Sequence, residues 1–166
     1  MTQIRQMQRP RSVEAKTMAR LGAVQALYQM EHAGTGVEAV IREFVDHRLG
    51  GEMDGSALHE ADDEFFAAIV RGVVEGQRRI DPFIQRHLAE GWTLKRLDAT
   101  ARAILRAGLF ELVSRPDIPW RTVVDEYVEL ANSFFEKGEA EPRFINAVLD
   151  ATAKEVRADD FGQDGG

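Results

Sequence analysis

The feature that most constrains this chain is a hydrophobic period near 3.6 residues that recurs from end to end, with no sustained two-residue alternation. A period of 3.6 gathers apolar side chains on one face of a helix, whereas a half-buried strand needs a period of two. The expected fold class is therefore all-α. At 166 residues the chain is long enough to bury a core without staples. It contains no cysteine, so disulfides, thiolate nucleophiles and thiolate metal sites are excluded.

The pattern predicts about seven helices. The first runs from about Val13 to His32, with Leu21, Val24, Leu27 and Tyr28 on its apolar face and Gly34 and Gly36 as its stop. A shorter helix follows over 37–48, and the Gly-, Asp- and Ser-rich stretch 49–60 reads as a loop. A third helix over 62–80 gives way to a fourth, because Asp81-Pro82 has the composition of a cap and a first helical residue. Asp98 caps the fifth, whose face reads Leu97, Ala101, Ile104, Leu105, Gly108 and Leu112. Pro116 and Pro119 separate it from a sixth over 121–135, and Pro142 opens a seventh. The expected organisation is a basic, flexible extension over 1–12, a helical domain over 13–157 and an acidic tail over 158–166.

Charge is distributed unevenly along the chain. Residues 1–20 carry Arg5, Arg9, Arg11, Lys16 and Arg20 against Glu14, a local balance of +4 in a chain of net −7, so the rest carries −11. A basic arm on an acidic body suits a protein that touches phosphates at one place and repels them elsewhere, although a solvated tail has the same composition. The arm is polar rather than apolar, and no run approaches the roughly 18 residues of a membrane span. A cytoplasmic, non-membrane protein is expected.

Enzyme chemistry finds no support. His32, His47, His59 and His87 lack metal-ligand spacing, and there is no phosphate loop or nucleophile elbow. Gly34-Thr35-Gly36-Val37-Glu38-Ala39 follows a helix and not a strand, so it reads as a helix–helix turn. Asp62, Asp63 and Glu64 fall in the first turn of a helix, where they complement its dipole. No catalytic residue, metal or cofactor is expected. Phe134 and Phe144 flank the polar stretch 136–141, where aromatic rings at a loop mouth can receive unstacked bases.

Four ordered motifs carry a resemblance. Ala23-Val24-Gln25-Ala26-Leu27-Tyr28 is followed by Ala103-Ile104-Leu105-Arg106-Ala107-Gly108-Leu109-Phe110-Glu111-Leu112, then by Asp125-Glu126-Tyr127-Val128-Glu129-Leu130-Ala131-Asn132-Ser133-Phe134, then by Arg143-Phe144-Ile145-Asn146-Ala147-Val148-Leu149-Asp150. In this order, over about 16–157, the chain resembles the NusB family of bacterial transcription antitermination factors. The resemblance implies two packed helical sub-bundles, and binding of the boxA element of nascent ribosomal RNA transcripts together with the ribosomal protein NusE. It implies indirect association with RNA polymerase and other Nus factors.

By the same resemblance, the RNA-binding residues are Lys16 and Arg20, with Phe134 and Phe144 near the RNA and partner surface and Tyr28 at the NusE contact. Arg9 and Arg11 join the RNA-binding set by charge alone, since they precede the matched region. The chain departs from the family pattern at Asn132, where a lysine is common, and at Ala101, where an acidic residue often faces the partner. A similar domain precedes the catalytic part of certain ribosomal RNA cytosine methyltransferases, but without a cysteine nucleophile that chemistry is not expected. The competing reading is a helical protein–protein adaptor that does not bind RNA. The sequence leaves a homodimer open.

Overall fold

The computed structural model describes residues 11–47 and 62–159. Among these, every regular element is helical: α1 (Arg11–Ala33), α2 (Val37–His47), α3 (Asp63–Arg86), a 3-10 turn (Leu94–Arg96), α4 (Ala99–Ser114), α5 (Trp120–Phe134) and α6 (Glu141–Val156). The all-α expectation holds, with six α-helices instead of about seven. The chain divides into two compact units, residues 1–71 and 72–166, with the boundary inside α3. The expected loop over 49–60 lies outside the described residues.

In the first unit α1 packs against α2. Ala19, Ala23 and Ala26 are fully buried, and their spacing of four and three residues keeps one side of α1 smooth enough for close approach. Leu21 and Leu27, expected to face inward, are only half-buried because the buried stripe is centred on these alanines. α1 starts two residues before the expected Val13, which costs little because first-turn N–H groups have no intrahelical partner anyway. It stops at Gly34, whose φ of 67° is open to glycine without strain. Phe44 of α2 stacks on Phe66 of α3, with centroids 5.6 Å apart. Asp62 caps α3 by accepting from Phe65 N–H at 2.9 Å, and its own N–H donates to Ala15 O on α1 at 3.1 Å.

One expectation is corrected in α3. The helix does not restart at Asp81-Pro82 but runs through Pro82 to Arg86. Proline removes the N–H that would bond the carbonyl of Arg78, and both residues lie on the exposed side, where water can take its place. Asp81 does not cap a helix. Its two carboxylate oxygens accept from Arg106 Nε and Nη2 at 3.0 and 2.9 Å.

The second unit is organised around α4. Apart from half-buried Arg106, every residue of α4 from Ala101 to Leu112 is buried, so the single face read from the sequence was too narrow. A helix enclosed on all sides loses its amphipathic pattern. The enclosure comes from α5 and α6, each of which packs on α4 and on the other. Two glycines allow this closeness. A Cβ at Gly108 would lie 2.9 Å from Leu149 and 3.3 Å from Tyr127, and one at Gly72 would lie 2.0 Å from the Phe110 ring. The cap expected at Asp98 is present, its Oδ1 accepting from the N–H groups of Thr100 and Ala101 at 2.8 and 3.1 Å.

Polar groups inside this unit are matched to one another. Buried Tyr127 donates its hydroxyl to Glu111 at 2.5 Å. Arg157, just past α6, donates to the carbonyls of Leu112, Ile118 and Arg115 at 2.8, 2.9 and 2.9 Å, and to that of Glu111 at 3.3 Å. Three of these carbonyls belong to the last turn of α4 and the residue after it, and that of Leu112 has no helical donor because the residue four further on is Pro116. Replacing Arg157 with Met keeps the aliphatic stem but removes the guanidinium from all four carbonyls, of which those of Glu111 and Arg115 keep a backbone donor. The expected loss is about 3 kcal/mol in a urea unfolding curve. Gly72→Ala is expected to cost about 2 kcal/mol through overpacking against Phe110, with Phe110→Leu in the same chain restoring part of it.

Candidate nucleic-acid interface

The cationic residues expected to meet RNA take different positions. Lys16, in the second turn of α1, is partly exposed. Its ammonium donates to Asp62 Oδ2 at 3.0 Å and lies 4.8 Å from the centroid of the Phe65 ring. Arg20, one turn further along, is 2% exposed, with its guanidinium 5.1 Å from the same ring. Phe65 therefore carries two cations over buried aromatic surface, where the negative face of the ring offsets part of the cost of desolvating charge. Arg20 is in the interior and presents no donor to a phosphate in this conformation. Arg5 and Arg9 lie outside the described residues, and of Arg11 only the backbone, at the first position of α1, is described.

Tyr28 is 40% exposed, so its expected place on the buried face of α1 is corrected. At 100° per residue it points nearly opposite Ala19 and Ala26, which occupy the buried side. Its ring stacks on His32 with centroids 4.2 Å apart and planes 17° apart. An exposed, stacked tyrosine is a pre-ordered contact surface that loses little side-chain entropy on binding.

The two aromatic residues of the second unit flank one turn. Phe134 ends α5 and is 38% exposed, while Phe144 lies in the first turn of α6 and is half-buried. The intervening residues are pinned. Glu136 N–H donates to Glu139 Oε1 at 2.7 Å, Glu139 N–H donates to Glu136 O at 3.1 Å, and Gly138 has a φ of 95°. Glu136, Glu139 and Glu141 outnumber Lys137 and Arg143 here. This turn offers ring faces and hydrogen-bonding groups more than it offers charge for phosphates.

Sequence reading missed Phe65 and Asp62 as the groups that hold Lys16 and Arg20. The signal was the adjacent pair Phe65-Phe66, which on a helix must serve directions 100° apart. Phe66 stacks on Phe44, and Phe65 lies under the cations of α1. Among the described residues no group of three or more His, Asp or Glu is placed to hold a metal ion, and no helix is long and apolar enough to cross a membrane.

Residues 17–154 match the NusB family. A relative from Caulobacter vibrioides, the transcription antitermination protein NusB, is 54% identical over 145 residues, covering 87% of this chain and 96% of the relative. Among solved structures, NusB of T. maritima superposes with a TM-score of 0.69 at 30% identity, covering 89% of this chain and 92% of that one. A chain from the crystal structure of antitermination factors NusB and NusE in complex with dsRNA has the same fold, with a TM-score of 0.65 at 24% identity over 84% of this chain and 96% of that one.

The different burial of the two cations is directly testable. Arg20→Glu, which charge alone would expect to spare the fold, places a carboxylate against the face of Phe65. It is expected to destabilise the protein by about 3 kcal/mol or more. Lys16→Ala removes a partly exposed pair and is expected to cost about 1 kcal/mol or less. Thermal and urea unfolding of both variants measure the difference, and an Arg20→Glu protein as stable as the parent would contradict this placement.

Proposed function

Because this chain belongs to the NusB family, we propose that it is a transcription antitermination factor that binds boxA RNA of nascent ribosomal RNA transcripts together with ribosomal protein NusE, within an RNA polymerase-associated complex. The observation that carries the reading is the match to a NusB antitermination protein at 54% identity over 96% of that relative's length. The solved NusB–NusE complex with RNA, which shares the fold, supports the choice of partners.

In this reading Lys16 supplies a phosphate contact, and Arg9 and Arg11 add to it by charge. Such contacts give salt-dependent affinity without sequence information. Arg20 acts from beneath, as a positioning residue that shares the Phe65 ring with Lys16. Phe134 and Phe144 receive unstacked bases, whose stacking on aromatic rings is tolerant of base identity, and the polar groups around their turn supply discrimination. Tyr28, exposed and stacked on His32, is the contact with NusE. Because the body outside the first 20 residues carries −11, the free protein repels most phosphates, and the partner supplies the contacts that it lacks.

The test is a fluorescence anisotropy titration of a short boxA-type RNA, with and without NusE, at two salt concentrations. NusE is expected to tighten RNA binding by about tenfold or more, within the usual range of coupling between two ligands. Higher salt is expected to weaken it, and Lys16→Ala to flatten the salt slope by about 0.7, the share of one single-strand phosphate contact. Phe134→Ala is expected to weaken binding by about 1–3 kcal/mol at either salt. Absence of binding with NusE present would leave the chain as a helical protein–protein adaptor.

A further inference from the structure

The connector between α3 and α4 carries a feature that the reading above does not use. Trp92 is 45% exposed, and the Arg96 guanidinium lies 5.1 Å from its ring. Lys95 and Arg96 are both exposed, and among the described residues neither forms an ion pair. Two cations without carboxylate partners thus stand beside a partly exposed indole in a chain of net −7. The same connector contains two acids, Glu90 and Asp98, and the Asp98 carboxylate is engaged in capping α4.

The backbone beneath this surface is held rigidly. The Gln85 side chain donates to Trp92 O at 2.8 Å and accepts from Leu94 N–H at 3.3 Å. Buried Arg102 donates from Nη1 to the carbonyls of Leu94 and Leu97, both at 2.8 Å. Arg96 Nη1 donates to Gly91 O at 2.7 Å, and Gly91 sits at a φ of 86°. Three side chains from three parts of the chain thus fix residues 91–97. A core needs no such scaffold to display a tryptophan, and an indole left 45% exposed forgoes part of the burial that an interior position would give it.

An aromatic face with flanking cations, held in one geometry, is the chemistry that receives a base together with its phosphates. We propose that Trp92, Lys95 and Arg96 form a second contact for single-stranded RNA and take a nucleotide flanking the boxA-type core. The inference rests on the RNA-binding reading above and extends it to the second unit's connector. Lys95 and Arg96 hold the phosphates on either side of the stacked base, so the contact adds affinity without adding sequence preference.

The test compares a core boxA-type RNA with the same core extended by four uridines on the 5′ or the 3′ side, each titrated in the presence of NusE. One extension is expected to tighten binding to the wild-type protein by about 5- to 10-fold, within the range of one stacked base. Trp92→Ala and the double variant Lys95→Glu/Arg96→Glu are each expected to erase that gain while leaving core binding unchanged. The double variant keeps the indole, so it reports on the contact even where Trp92→Ala alters folding by circular dichroism. In a Trp120→Phe background the remaining indole is expected to be quenched by the extended RNA and not by the core. If the core binds but neither extension adds affinity, or the gain survives both variants, this inference falls and the RNA-binding reading stands. If neither RNA binds, both fall. Variants that weaken NusE binding and spare the extension's gain would make this a protein-docking surface, and the RNA contact would be overturned.

Discussion

The enclosure of α4 is the constraint on which the second unit depends. A helix buried on all sides cannot be stabilised by amphipathicity. It needs neighbours close enough to cover every face and partners for whatever polar groups it brings inside. Gly72 and Gly108 meet the first requirement by letting Phe110, Leu149 and Tyr127 come within contact of main chain. The second is met by Tyr127, which binds the Glu111 carboxylate, and by Arg157, whose guanidinium gathers the carbonyls at the end of α4. The turn bearing Phe134 and Phe144 and the connector bearing Trp92 both hang on helices that this packing holds in place.

Buried arginines recur in the two units with one physical logic. Arg20 lies against Phe65, Arg102 binds the carbonyls of the connector, and Arg157 binds those at the end of α4. A guanidinium remains charged at any accessible pH and offers five donors in a plane, so it can satisfy several carbonyls at once where lysine cannot. In an acidic chain these residues resemble a reserve of positive charge for nucleic acid. Their positions show that part of that charge is spent inside the fold. Among the described residues, fewer cations are left at the surface than the composition suggests.

Helix type and order were legible in the sequence because periodicity, glycine stops and the Asp98 cap all act locally. The run through Pro82 was not, since its tolerance depends on which side of α3 faces water, a property set by packing. The full burial of α4 was hidden for the same reason: Ala103, Ala107 and Leu109 have an inward role only once α5 and α6 are in place. Among candidate site residues, the order of the four motifs identified the family before any coordinates. Charge could not separate Lys16 from Arg20, which are one turn apart on the same helix, because burial decides their roles and burial depends on where Phe65 sits. Tyr28 was misplaced on α1 since its apolar ring counts toward the stripe in any pattern, whereas small alanines set the real contact line.

The central claim is that the α1 surface around Lys16 and the turn between Phe134 and Phe144 meet RNA when the partner protein is bound. Hydrogen–deuterium exchange of the chain alone, with NusE, and with NusE and boxA-type RNA measures this most directly. The account predicts that adding RNA to the two-protein complex slows exchange at the start of α1 and in residues 135–144, and leaves the interior of α4 unchanged. Protection confined to other surfaces, or none beyond that given by NusE, would contradict it.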